Sequence, residues 1–225
     1  MDKNFTIILP TYNEEKTIVK TITQALLTSA SEVIVVNDGS TDATVSLLLP
    51  IIKNNPRLKI ISHLKNKGCG VARKNGIIAA SNPILLFFDS DIENINSKMM
   101  NKLVKPILKN EADFVIASFE NFGRITEYLI KPLFSEFVPN LAHLKQPISG
   151  MFAVRRSYLD YKKINPGHSM ASILLNTYFK AARIKEVDIG LIIHKHRSDL
   201  AKCDQARTEC NSIIKSLLEN KVLYR

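Results

Sequence analysis

The triplet Asp89-Ser90-Asp91 offers the sharpest chemistry in this chain. Alternate side chains of an extended segment point the same way, so both carboxylates can face one ligand. Held that close, they repel each other unless a cation sits between them. Hard oxygen donors suit Mg²⁺ or Mn²⁺, and such ions commonly link one or two carboxylates to substrate phosphates. Two further polar clusters are Pro10-Thr11-Tyr12-Asn13-Glu14-Glu15 and Asn37-Asp38-Gly39-Ser40-Thr41-Asp42. Taken singly, each is a turn with a helix cap, Asn13 or residues 40–42 serving as the cap. Lys67-Gly68-Cys69-Gly70, followed by Arg73, is a Gly-bearing loop running into a helix. Such a helix start offers backbone N–H groups to phosphate, and Lys67 adds charge. It matches neither GxxxxGK[ST] nor GxGxxG, so it is neither a P-loop nor a dinucleotide fingerprint. His194-Lys195-His196-Arg197 could supply a metal ligand or a surface group.

The elements that must position these residues alternate regularly in the first half. Apolar runs at residues 5–9, 33–36, 58–61, 84–88 and 114–117 are strand candidates. Between them Ile18, Ile22, Ala25 and Leu26, then Val45, Leu48, Leu49 and Ile52, recur at helical spacing. Residues 68–80 and 97–108 complete the helices, the last expected to end or kink near Pro106. Continuous apolar strands alternating with helices imply a mostly parallel α/β sheet covered on both faces. Ligands of such sheets bind beyond the carboxyl ends of the strands. All three polar clusters fall there, which points to one shared crevice rather than three independent caps.

The second half is less regular. Residues 125–144 suggest a helix interrupted by Pro132 and Pro139, and 147–154 are apolar with Gly150 inside. Met170, Leu174, Thr177, Tyr178 and Ala181 suggest another helix, residues 184–193 a strand, and Ala206 to Leu217 a terminal amphipathic helix.

At 225 residues the chain is expected to form a single domain over residues 1–225. Its 45% hydrophobic and 23% charged content excludes disorder, collagen and a disulfide scaffold. Three cysteines without CxxC spacing suggest neither a zinc ribbon nor a disulfide framework. No apolar run reaches the length of a membrane helix, and the N-terminus lacks a signal-peptide pattern, so a cytoplasmic address is expected. Lys and Arg number 31 against 21 Asp and Glu, a net charge of +10. That favours anionic partners: phosphorylated small molecules, or an acidic membrane surface in peripheral contact. No nucleic-acid module or aromatic-interleaved basic stretch is visible, so no nucleic-acid partner is expected.

The ILPTYNEE, VIVVNDGSTDAT and FFDSD segments resemble family-2 nucleotide-sugar glycosyltransferases of the GT-A fold, which is Rossmann-like. The segment from Asp113 to Leu159, with GRITE and QPISG inside it, and the later VDIGLIIHKHRSDL resemble glucosyl-3-phosphoglycerate synthases and their mannosyl relatives. The resemblance covers almost the whole chain. It implies a nucleotide-sugar half (1–118), and an acceptor half (119–225) with an acceptor-side region and terminal helix. The activity it implies is metal-dependent hexosyl transfer from a nucleoside-diphosphate sugar to a small anionic acceptor such as 3-phosphoglycerate. Transfer to a polyprenyl phosphate, or a non-catalytic binder of nucleotide sugars, are the alternatives. Stereochemical retention is implied by the phosphoglycerate group and inversion by general family-2 enzymes. The terminal helix could serve a homodimer or pack on its own domain.

By the same resemblance, Pro10, Thr11, Tyr12 and Glu14 would line the base and ribose, and Asp38 would hold the base. Lys67 would reach the diphosphate, and Asp89 the ribose or metal. Asp91 and His194 would ligate Mg²⁺ or Mn²⁺, so that Asp89, Asp91 and Lys67 form the catalytic set. Arg124, Thr126, Gly150 and His196 would lie on the acceptor side. The chain departs from the resembled pattern at four positions. Ala171 and Met151 stand where acidic residues are expected, Ile192 where an Arg is expected, and His196 where an Asn is expected.

Overall fold

The structure is a computed structural model that describes residues 4–120, 124–167, 170–194 and 199–224. Its framework is one seven-stranded sheet in the order β3-β2-β1-β4-β6-β5-β7. The strands are β1 (Phe5–Thr11), β2 (Glu32–Asn37), β3 (Leu58–Ser62), β4 (Ile84–Phe87), β5 (Phe114–Ser118), β6 (Phe152–Arg155) and β7 (Ile184–Asp188). Only β6 runs against its neighbours, pairing antiparallel with both β4 and β5. The mostly parallel α/β sheet expected from the sequence is therefore present, with one antiparallel strand drawn from the apolar stretch around Gly150.

Strand alternation divides the core. Phe5, Ile7, Leu9, Val33, Val35, Ile84 and Leu86 face α1 (Ile18–Leu26), α2 (Thr44–Lys53) and α4 (Ser97–Leu108). Ile8, Ile34, Val36, Leu85 and Phe87 face α3 (Cys69–Ala79), α5 (Lys131–Phe137), α6 (Met170–Tyr178) and α7 (Asp199–Glu219). Residues of both parities are buried, which is why these strands read as unbroken apolar runs. Phe152 of β6 stacks on Phe87 at 4.5 Å and on Phe114 at 5.3 Å between ring centroids, knitting the inserted strand to both neighbours.

Helix α4 ends at Leu108, two residues past Pro106 and so near that proline, as expected. Pro132 opens α5 instead of interrupting a helix, in the first turn where a missing N–H costs least. Ahead of it, Thr126–Ile130 form a π-helical turn in which the Lys131 amide donates to Thr126 O. Pro139 opens a short 3₁₀ turn. The strand expected over 184–193 stops at Asp188, whose carboxylate accepts from the Gly190 amide at 2.7 Å and turns the chain out of the sheet. Helix α7 packs on its own domain through Ile213 and Leu217. Among the described residues, no helix is long and apolar enough to cross a membrane.

Candidate functional site

The carboxyl ends of β1, β2 and β4 form one polar crevice. The loops after β1 and β2 are bound to each other. Asn13 N donates to Ser40 Oγ at 3.0 Å, and Asn13 Oδ1 accepts from Thr41 N at 2.8 Å. Glu14 N donates to Thr44 Oγ1 at 2.8 Å, and Glu15 and Asp42 exchange bonds with the opposite loop. Asn13 and Ser40 are thus cross-loop braces and not caps of their own helices; Asp42, one position before the cap residue Ala43, accepts from Thr44 N at 3.0 Å and meets one donor of the first turn of α2. This zipper fixes the four residues assigned to base and ribose. Pro10 and Thr11 end β1, the exposed Tyr12 ring follows, and Glu14 sits half-buried above α1.

Asp38 is only 3% exposed. Its Oδ1 accepts from Lys67 N at 2.9 Å and pairs with His63 Nδ1 at 2.6 Å, and its Oδ2 accepts from Gly68 N at 2.8 Å. His63 Nε2 in turn lies 2.7 Å from Asn75 Nδ2. With Asp38 accepting, the network assigns the proton to Nδ1 and leaves Nε2 to accept from Asn75. What the structure displays for Asp38 is the anchoring of the Lys67–Gly68 turn, rather than a carboxylate turned to a base. His63 and Asn75 were not singled out in the sequence; neither lies in a recognisable motif.

Lys67 extends into solvent from that turn, and α3 begins at Cys69. One turn into α3, Arg73 is 7% exposed at its side chain. Its Nη2 lies 3.8 Å from Asp89 Oδ1, its Nη1 donates to Cys69 Sγ at 3.6 Å, and its Nε has no partner among the described residues. A buried guanidinium with an unmet donor is fixed positive potential beside the crevice.

Asp89 is partly exposed, and Gly150 lies directly against it. A Cβ on Gly150 would fall 2.4 Å from both carboxylate oxygens. Only glycine leaves Asp89 where it stands. Ser90 turns away, donating to Pro10 O at 2.9 Å and accepting from Thr21 through its carbonyl, which locks the turn to β1 and α1. The segments that contain Asp91 and His194, far apart in sequence, meet at a β-bridge between Ile92 and His194. Glu93 N donates to Ile193 O at 2.8 Å, and Ile193 N to Asn94 Oδ1 at 2.9 Å. Among the described residues, no group of three or more His, Cys, Asp or Glu is gathered. A carboxylate and an exposed imidazole on adjoining segments suit a divalent ion that takes its other ligands from phosphate and water.

On the acceptor side, Thr126 is buried in the π-helical turn while Arg124, just before it, is exposed. His196 lies outside the described residues. Met151, Ala171 and Ile192, three of the departures from the resembled pattern, are all buried among apolar residues.

A mostly parallel sheet with one antiparallel strand, and acidic and basic groups gathered at its strand ends, is the architecture of a glycosyltransferase of the GT-A fold. Residues 6–169 match the model of glycosyl transferase family 2, and the chain belongs to that family. It is 30% identical over 224 residues to the glucosyl-3-phosphoglycerate synthase of Petrotoga mobilis, covering 87% of this chain and 68% of that protein. It overlays the crystal structure of glucosyl-3-phosphoglycerate synthase from Mycobacterium tuberculosis in complex with Mn²⁺, UDP-glucose and phosphoglyceric acid. The TM-score is 0.84 at 26% identity, covering 95% of this chain and 79% of that one. A dolichol-phosphate mannosyltransferase of Pyrococcus furiosus is 28% identical over 173 residues, 71% of this chain and 48% of that protein.

Proposed function

We propose that this chain transfers a hexosyl group from a nucleoside-diphosphate sugar, UDP-glucose first, to a small phosphorylated carboxylate, 3-phosphoglycerate first. One observation carries the reading. The turn after β4 carries Asp89 to Arg73, and the Ile92–His194 bridge brings the segment of His194 against the segment that contains Asp91. The ligands named in the Mycobacterium tuberculosis complex supply the substrate classes.

In this reading Tyr12 offers a ring face to the base, and Pro10, Thr11 and Glu14 line the ribose. Asp38 acts by holding the turn that presents Lys67 to the diphosphate. Asp91 and His194 hold Mg²⁺ or Mn²⁺, and Asp89 meets the ribose or the metal. A bound divalent ion would act as a Lewis acid, offsetting charge that grows on the departing diphosphate. Lys67 and Arg73 add fixed positive potential that needs no reorganisation as the bond breaks. The bond between the anomeric carbon and the diphosphate oxygen is lost, the acceptor hydroxyl oxygen forms the new one, and the hydroxyl's proton leaves with the diphosphate. Arg124 would meet the acceptor's anionic groups, a role the family resemblance also gives to Thr126 and His196, and Gly150 leaves room beside Asp89.

The test is nucleotide release from UDP-glucose with Mn²⁺, with and without 3-phosphoglycerate, beside an Asp91→Ala control. Release that depends on the acceptor and is lost in the control is expected. Release only with a polyprenyl phosphate would transfer the assignment to lipid-linked chemistry. UDP-glucose binding without any release would leave a non-catalytic relative.

A further inference from the structure

Glu209 is a fully buried carboxylate on α7, the last long helix of the chain. Its Oε1 accepts from the Met170 amide at 3.2 Å and its Oε2 from the Ala171 amide at 2.9 Å. These amides open α6, where backbone donors lack partners within the helix and negative charge is favoured. The same face of α7 holds the segment just before α6. Ser212 Oγ accepts from Asn165 Nδ2 at 3.0 Å, and Thr208 packs so closely on Gly167 that a Cβ there would fall 2.9 Å from its methyl.

The far side of that segment lies on the start of α3. Gly70 N donates to Pro166 O at 3.0 Å, and Cys69 Sγ to Gly167 O at 3.5 Å. The backbones approach until a Cβ on Gly70 would come within 1.8 Å of Asn165 O. Lys67 and Gly68, bound to Asp38, immediately precede this contact, and Arg73 follows one turn on. An unbroken path of hydrogen bonds and close packing therefore runs from α7, through residues 165–167, to the loop facing the diphosphate.

We infer that Glu209 is a positioning residue for the donor: from the C-terminal helix it fixes residues 165–167, and through them the start of α3. What that loop binds rests on the proposed function; the mechanical coupling does not. Glutamine at 209 is a sharp probe. It keeps the shape but turns an NH₂ toward one of two amide donors, so only one can be satisfied.

The experiment compares wild type and Glu209→Gln by hydrogen exchange without ligand, and by calorimetric titration with UDP in the presence of Mn²⁺. Exchange should quicken both in residues 165–171 and in residues 67–72, with β1 and β4 unchanged. UDP affinity should fall roughly 3- to 30-fold, the range for perturbing a packed network away from the ligand. Faster exchange confined to α7 and residues 165–171, or unchanged UDP affinity alongside it, would overturn the inference. If the variant does not fold, Ser212→Ala, which removes the hydroxyl that accepts from Asn165, carries the same two readouts with smaller changes. A wild type that does not bind UDP with Mn²⁺ would overturn the functional reading, while exchange at residues 67–72 would still decide the coupling.

Discussion

Asp38 and Asp89 are placed by the strands they follow, whereas Gly150 and His194 are placed by contacts made far away in the chain. In the proposed donor half (residues 1–118), each polar residue sits one or two positions past a buried run such as residues 33–36 or 84–88, so its own strand locates it. In the proposed acceptor half (residues 119–225), His194 meets Ile92 only because the chain leaves β7 at Gly190. Gly150 meets Asp89 only because β6 inserts antiparallel beside β4. The donor half should therefore keep its geometry under local change. The acceptor half should fail wherever one long-range contact is lost.

The largest effect falls at the proposed metal site. Asp91→Ala removes its proposed carboxylate ligand, and kcat should fall by at least ~100-fold, as losing one preorganised stabiliser costs about 3–4 kcal/mol in the barrier. Wild-type turnover with unchanged Mn²⁺ dependence would disprove the assignment. Gly150→Ala tests the acceptor half's hold on the donor half. The added methyl must push Asp89 aside, and a displacement of that order costs roughly 10- to 100-fold in rate. Circular dichroism should stay native, because the clash is with a partly exposed side chain. A Gly150→Ala enzyme of full activity would show that Asp89 can move without consequence.

The same contrast governs how much could be read in advance. Residues 5–118 alternate apolar runs with helical spacing, and ligands gather at strand ends in such sheets. That was enough to locate Asp38, Asp89 and the Lys67 loop. The antiparallel strand Phe152–Arg155 carried no local signal, since four apolar-rich residues suit a strand of either direction. The early end of β7 depended on an Asp188 turn that periodicity does not weigh. His63, Asn75 and Glu209 were silent because each acts through a partner distant in sequence. The assignment of Asp91 and His194 to one metal rests on family resemblance and not on spacing.

Asp113 is a buried carboxylate that ties the two halves together: it accepts from Arg183 Nε at 2.8 Å and Arg155 Nε at 3.2 Å, joining β5, β6 and the start of β7. Hydrogen bonds from Arg183, with its charge and that of Arg155, hold the carboxyl at a pKa of about 2 against burial, below its usual 3.8. A folded pKa below the unfolded one contributes stability above the unfolded value, lost as pH falls from about 4 toward 2. Urea unfolding at pH 7 should show Asp113→Asn less stable by roughly 2 kcal/mol, a gap that closes by about pH 2. A gap independent of pH would show that Asp113 matters for shape rather than charge.

The smallest effect belongs to Asp38's own support. His63→Leu removes the ring N–H that meets Oδ1 at 2.6 Å, leaving Asp38 with the Lys67 and Gly68 amides. Losing a partner from a buried acceptor costs about 1–3 kcal/mol of stability. His63→Asn offers an NH₂ near the lost Nδ1 and should recover part of that. The two should differ in donor KM as well, because a slack Asp38 lets the Lys67 turn drift, while kcat stays near wild type once donor is saturating. Equal donor KM in both variants would mean the strand ends and the cross-loop zipper hold the turn unaided. The donor half would then be as self-sufficient as its regular alternation implies, with His63 contributing to stability alone.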